Sequence, residues 1–247
     1  MRPELIAEID TFSRQLESLS KWNSSEPFGH LDGADDDYIY EFWCAMKLLS
    51  DLKTSYSIEV SSVDDRLLFP KKPAYLSAGK YTYFTLTDKA DTKDCVQMFF
   101  GIKFIHADDA DDTSAPDIAF AKPIGRQDPF YNDALLIFDA KFKTGKSRKL
   151  SKSLIKVFAK TVEDLGLRNR SFNLKLDKLA DLNGNCLVTN GEVIRKHENY
   201  CIRSKVRQIG NFKTGTEPIE AVGVEQLPVV TLDRSPDLGD LESKITS

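Results

Sequence analysis

The chain lacks the residues from which thiolate-metal sites and disulfide frameworks are built. Its four cysteines, Cys44, Cys95, Cys186 and Cys201, are scattered over 247 residues. None forms a Cys-x-x-Cys pair, which argues against a zinc ribbon or a thioredoxin-type redox centre. Cys44, Cys95 and Cys186 fall in apolar runs and read as reduced core residues, the pattern expected of a cytoplasmic protein. The three histidines, His30, His106 and His197, do not stand at ligand spacing, so no zinc site is expected. The N-terminal stretch has no apolar signal core, and no apolar run reaches the roughly 20 residues of a spanning helix, so no membrane partner is expected. Thr144-Gly145-Lys146-Ser147 lacks the upstream glycine of a P-loop, so any nucleotide-driven motor must be a separate protein. The acidic run Asp108, Asp109, Asp111, Asp112 lacks the glycine and spaced glutamate of an EF-hand and reads as a solvated loop.

What is present is the composition of an ordinary globular domain, 41% hydrophobic and 29% charged, long enough to bury a core without disulfides. The net charge of −4 conceals a polarity along the chain. Residues 1–120 carry 12 Lys/Arg against 22 Asp/Glu, residues 121–213 carry 20 against 9, and residues 214–247 carry 2 against 7. The central block is therefore +11 between segments of −10 and −5. Lys141 to Lys160 holds eight basic residues and no acid, which reads as a phosphate-binding face.

Hydrophobic periodicity predicts helices over 2–20 and about 35–52, the second opened by Asp35-Asp36-Asp37. Strand-like pieces follow at 56–60, 66–69, 81–86 and 95–105, then a loop at 108–115. Short strands at 118–121 and 135–142 flank a proline- and glycine-bearing excursion. A helix is expected over 151–165, ended by Gly166, and a buried strand over 185–189, closed by Asn190-Gly191. Residues 192–209 read as largely helical and 223–232 as a last strand. Tyr81, Tyr83 and Phe84 read as strand packing, and Trp43 as core. The domain expected is a helix and linker over 1–35, a mixed α/β domain over 36–232 and a disordered tail over 233–247.

Within this order, Pro116-Asp117 precedes one short strand and Asp139-Ala140-Lys141 ends the next. Asp139 and Lys141 share a face because side chains alternate along a strand. Charges at the end of a buried strand are costly unless something there uses them. Asp117, Asp139 and the backbone carbonyl of Ala140 form an oxygen donor set suited to Mg2+, with Lys141 beside a water that the metal would activate. Glu41 lies on a helical stripe with Ala45, Leu48 and Leu52, so it should face inward and is the candidate further carboxylate. Lys143, Lys146, Arg148, Lys149, Lys152 and Lys156 are the candidate phosphate-binding residues.

This constellation resembles the PD-(D/E)xK nuclease superfamily, in which a helix carries a glutamate and a central hairpin carries the acid and the acid-x-lysine. Glu41, Asp117, Asp139 and Lys141 match that motif. Tyr40-Glu41-Phe42-Trp43-Cys44, Pro116-Asp117-Ile118 and Phe138-Asp139-Ala140-Lys141-Phe142-Lys143 are similar to McrC-type restriction nuclease domains, over roughly residues 36–210. One departure is plain: the glutamine that many relatives carry in the following helix is absent from 151–165, where Lys152, Lys156 and Lys160 stand instead. The resemblance implies a restriction-endonuclease-like mixed central sheet flanked by helices, with an N-terminal helical and β-rich extension. It implies a Mg2+-dependent DNA endonuclease, with Mn2+ able to substitute, that leaves 5′-phosphate and 3′-hydroxyl ends. It leaves room for a homodimer and for a separate ATPase or GTPase motor subunit, in restriction or anti-phage defence. Two alternatives stand beside it: a catalytically silent DNA-binding or assembly subunit, and a repair or recombination nuclease.

Overall fold

A computed structural model describes residues 2–20, 31, 33–63, 67–106, 109–144, 148–169, 184–215 and 220–223. Helix α1 (Arg2–Ser20) lies against α2 (Asp36–Leu52). The predicted start of α2 is observed: Asp35 accepts a hydrogen bond from the Tyr38 backbone N–H at 2.8 Å, which satisfies an otherwise unpaired donor of the first turn. α2 is buried on most of its circumference because it is packed between α1 and the sheet.

The main sheet of the described residues has eight strands in the order β1-β2-β3-β6-β7-β8-β9-β10. In chain order these are β1 (Tyr56–Ser61), β2 (Tyr83–Asp88), β3 (Cys95–Phe100), β6 (Ile118–Ala121), β7 (Ala134–Lys141), β8 (Asn185–Thr189), β9 (Val206–Gly210) and β10 (Glu220–Gly223). A separate two-stranded ribbon pairs β4 (Phe104–His106) with β5 (Asp109–Ser114). From β1 to β7 neighbours run antiparallel; β7, β8 and β9 are mutually parallel, and β10 returns antiparallel. The crossover between β7 and β8 contains α3 (Lys152–Asp164), and the one between β8 and β9 contains α4 (Glu198–Ser204), as parallel pairing requires. This is a mixed α/β sheet flanked by helices.

Each face of the sheet has its own core. Ile118, Phe120, Leu136, Phe138, Ala140, Cys186, Val188 and Ile209 pack on the side of α1 and α2. Ala119, Ala121, Ile137, Leu187 and Val206 pack with Ile155, Phe158, Ala159 and Val162 of α3. Both series follow the two-residue period of a strand, and burying one phenylalanine such as Phe120 or Phe138 contributes about 1.5–3 kcal/mol. Leu5, Ile9 and Leu16 of α1 belong to the first core, and Trp43 is fully buried there with its indole N–H donating to Glu8.

Four expectations are corrected. The acidic stretch 109–114 is a strand, because backbone pairing with Phe104–His106 outweighs the poor β-propensity of aspartate. Cys95–Ile105 is two strands broken at Gly101, whose φ of +60° turns the chain. Residues 192–209 are not one helix: a 3-10 turn, the short α4 and then β9 fill that span. Lys205 ends α4 in the left-handed region at φ +56°, and Val206–Gly210 supplies apolar and amide side chains to both sheet faces. Leu67–Phe69 is irregular rather than a strand. The helix over 151–165 is observed as Lys152–Asp164, capped by Ser151 and ended before Gly166 at φ +65°. The last strand begins at Glu220; residues 224–232 and the tail 233–247 lie outside the described residues.

Where β7, β8 and β9 end, chains meet at van der Waals distance. A Cβ on Gly191 would lie 1.8 Å from the Arg148 carbonyl oxygen, and the Glu192 N–H donates to that same oxygen at 2.7 Å. Gly191→Ala should therefore force two backbone segments apart and destabilise the protein by at least about 2 kcal/mol. Urea unfolding checks this; an unchanged midpoint would contradict the packing described.

Candidate functional site

The register Ile118↔Phe138 puts Asp117 one residue before the β6 ladder, opposite the last turn of residues in β7. Asp117 Oδ2 accepts from the Ala140 N–H at 2.8 Å and from Lys141 Nζ at 3.1 Å. Lys141 Nζ also donates to Asp139 Oδ1 at 2.9 Å. One ammonium thus bridges two carboxylates. The side chains of Asp117, Asp139 and Lys141 are 17%, 18% and 26% exposed, so the cluster is mostly withdrawn from water while remaining open on one side. The N–H and C=O of one strand residue point to the same edge. Since the Ala140 N–H points past the end of β6 to Asp117, the Ala140 carbonyl faces the same edge.

Glu41 joins this cluster from α2. Its carboxyl is pushed up to about 7 by burial first, with Lys141 opposing and Asp139, Asp37 and Asp35 adding to the rise. Asp117 is held well above the usual carboxylate range by burial and then by Asp139, against the pull of Lys141. For Lys141, burial favours the neutral amine, but Asp117 and Asp139 outweigh it and hold the ammonium above the ordinary lysine range. Lys141 is here a fixed cation. The structure therefore brings together all four predicted residues, Glu41, Asp117, Asp139 and Lys141, around a centre with three acids and one base.

The donor chemistry fits a hard divalent cation. Two partly buried carboxylates already converge on one positive charge, a third acid is raised to about 7 chiefly by its burial, and a backbone carbonyl faces the same edge. Among the described residues no group of three or more His, Cys, Asp or Glu side chains is arranged as a ready-made cage. Asp117, Asp139 and the Ala140 carbonyl would hold the ion, with Glu41 completing the set directly or through water.

The end of β7 is fixed by side chains that the sequence pattern did not single out. Thr189 Oγ1 donates to the Lys141 carbonyl at 2.7 Å and accepts from the Gly191 N–H at 3.1 Å. The Asn190 amide clamps Lys143, accepting from its N–H at 2.6 Å and donating to its C=O at 3.2 Å. In the sequence Asn190-Gly191 reads as a strand-closing pair, which does not reveal these bonds. Cys44, fully buried on α2, has its thiol pushed well up by burial, against a hydrogen bond with Tyr40 and with Asp117 and Glu41 adding to the rise. It also lines an apolar void of about 10 Å3 with Leu48, Ile118, Phe138 and Ala140, just beneath the charged cluster.

The predicted phosphate-binding residues divide. Lys143 is half-buried at the site, while Arg148, Lys149, Lys152 and Lys156 are exposed; Lys146 lies outside the described residues. Lys149 is ion-paired with Glu192 at 3.4 Å, both exposed, a pair worth little. Lys152 and Lys156 lie on the outer face of α3, close enough to His197 that, after burial and Lys196, they lower its pKa. The basic residues thus form a field that runs from the end of β7 along α3.

Comparison with protein-family models, with curated proteins and with solved structures finds no match to this chain.

A carboxyl with a raised native pKa binds its proton more tightly folded than unfolded, so Glu41 contributes its stability below about pH 4.5 and loses it as pH rises through about 7. Asp117 acts in the same direction. The metal-free protein should lose stability on the order of 1–3 kcal/mol across that window, and Glu41→Gln should flatten the decline; a urea midpoint that rises with pH would contradict it. Thr189→Val, which removes the hydrogen bond to the Lys141 carbonyl, should cost about 1 kcal/mol, and NMR should show the Lys141 and Lys143 amides shifting most; shifts spread evenly over β8 would not fit.

Proposed function

We propose that the chain is a Mg2+-dependent nuclease that hydrolyses phosphodiester bonds in DNA. The observation that carries this is the single ammonium, Lys141, held between Asp117 and Asp139 at the ends of adjacent strands, with Glu41 entering their field from α2. With β1, β2 and the β4–β5 ribbon read as additions, the order helix, three antiparallel strands, helix, parallel strand, formed by α2, β3, β6, β7, α3 and β8, supports the restriction-endonuclease-like reading of the fold.

In this reading, bound Mg2+, or Mn2+ in its place, supplies positive charge to the scissile phosphate and acidifies a water beside it. Asp117 and Asp139 bind and orient, because the Ala140 N–H and the Lys141 ammonium fix Asp117 and the same ammonium fixes Asp139. Lys141 carries a permanent charge where negative charge grows on the phosphoryl oxygens. Glu41, with its pKa near 7, can take up a proton close to neutral pH. Lys143, Arg148, Lys149, Lys152 and Lys156, with Lys146, hold backbone phosphates without reading bases. The similarity to McrC-type domains makes restriction or anti-phage defence the setting we favour, in the cytoplasm, with a homodimer and a separate ATPase or GTPase subunit as partners to test.

One observation favours a second reading, a DNA-binding or assembly subunit without catalysis: Lys141 already bridges both carboxylates. Cleavage separates the two. Plasmid, linear and single-stranded DNA are incubated with Mg2+, Mn2+ or EDTA. The parent should cleave with metal only, and Asp139→Ala or Lys141→Ala should lower the rate by about a thousandfold while DNA binding largely persists. Equal cleavage by parent and variants would exclude the Asp139 site as the source of activity.

A further inference from the structure

Away from the carboxylate cluster, α3 and α4 enclose a polar cleft of about 270 Å3 whose lining is dominated by cations. Lys156 and Lys160 enter from α3, Arg203 from the last turn of α4, and Arg168 from the turn after α3; Glu163 is the one acid in the lining and Tyr200 the one aromatic. Two of the cations are engaged. Lys160 is paired with Asp164 one turn on, and Arg168 lies 3.7 Å from Glu163 while its Nε donates to the Arg203 carbonyl at 3.2 Å. Lys156 and Arg203 make no side-chain hydrogen bond or ion pair among the described residues. Like charges gathered in a concavity repel one another and concentrate field there, an arrangement relieved by an anion.

We propose that this cleft binds the phosphate group of a nucleotide, either free or within a strand. Arginine and lysine side chains converging from three elements suit a tetrahedral, multiply charged group better than a single planar carboxylate. A volume near the lower end of the range for ligand pockets, roughly 300 Å3, suits a phosphate with its sugar attached. The half-buried Tyr200 ring offers an apolar flank and a hydroxyl beside the cations. Lys156 also belongs to the group with Lys152 and Lys196 around His197, so the positive field continues out of the cleft along α3. None of the four acid-and-lysine residues of the candidate centre lines the cleft, and phosphate binding here does not depend on cleavage there.

Isothermal titration of the full chain with adenosine 5′-monophosphate and with a single strand of about 12 nucleotides, at about 50 and 200 mM salt, tests the proposal. The parent should bind at least one of them. Arg203→Ala combined with Lys160→Ala, which leaves Asp164 uncompensated at the rim, should weaken that binding roughly tenfold or more with the thermal midpoint retained. Arg203→Lys should recover part of the loss. Asp139→Ala should bind as the parent does, so failure of this site and failure of the nuclease reading are separable. Binding of the monophosphate identifies a free nucleotide as ligand; binding of the strand alone, with steep salt dependence, identifies a backbone phosphate. No binding of either by the parent overturns the proposal, as does unchanged affinity in the double variant. An equal loss on replacing the exposed Lys71 and Lys72 also overturns it, since net charge and not the cleft would then be responsible.

Discussion

The bridge from Lys141 Nζ to Asp117 and Asp139, at 3.1 and 2.9 Å, sets the terms for everything around it. Two carboxylates less than one-fifth exposed cannot both stay ionised without a cation, because removing one partner of such a cluster leaves a buried charge at a cost of about 3–5 kcal/mol. Even beside Lys141, burial first and then the charge of neighbouring acids hold Asp117 and Glu41 above the usual carboxylate range. On the proposed reading, a divalent cation would add positive charge beside these acids.

The cluster is held by rigid parts. Asp117 is fixed by the start of β6 and by the Ala140 N–H, and Lys141 by the strand it ends and by Thr189. Behind them Gly191 lies against Arg148 and Gly210 against Gly191, so the ends of β7, β8 and β9 are drawn together as one backbone unit. The Tyr40 hydroxyl donates to the Phe212 carbonyl at 2.7 Å, tying α2, and with it Glu41, to the chain that leaves β9. Side chains on three separate stretches therefore hold a common geometry before any ligand arrives.

The parts of this arrangement legible in the sequence are those set by local rules. α2 announces itself by Asp35 and its apolar content, and β7 by the run Ala134–Phe138. Asp139 and Lys141 follow from strand alternation, and the convergence of Asp117 with them from a short hairpin-like connection. Glu41 was legible only with the motif as a whole, since its stripe predicts burial without a destination. What escaped is non-local. The 109–114 strand is chosen by its partner rather than by its aspartates, and Val206–Gly210 becomes a strand because β8 offers it an edge. Thr189 and Asn190 act through backbone groups of residues 141 and 143, about 48 positions away, which no spacing rule connects. The cleft between α3 and α4 likewise exists only once 192–209 is divided into α4 and β9.

The segregation of charge acquires a location in the fold: acids of the first half and the base of the second meet at the junction of β6 and β7, and the surplus of positive charge spreads over α3. The claim that joins these facts is that the carboxylate pair is built for a divalent cation. Isothermal titration of the metal-free protein with Mg2+ and with Mn2+ at neutral pH, against Asp139→Asn, tests it most directly. The account predicts saturable binding with release of protons from Glu41 and Asp117, seen as a dependence of the heat on buffer, and its loss in the variant. Absence of binding by the parent, or identical binding by the variant, would contradict it.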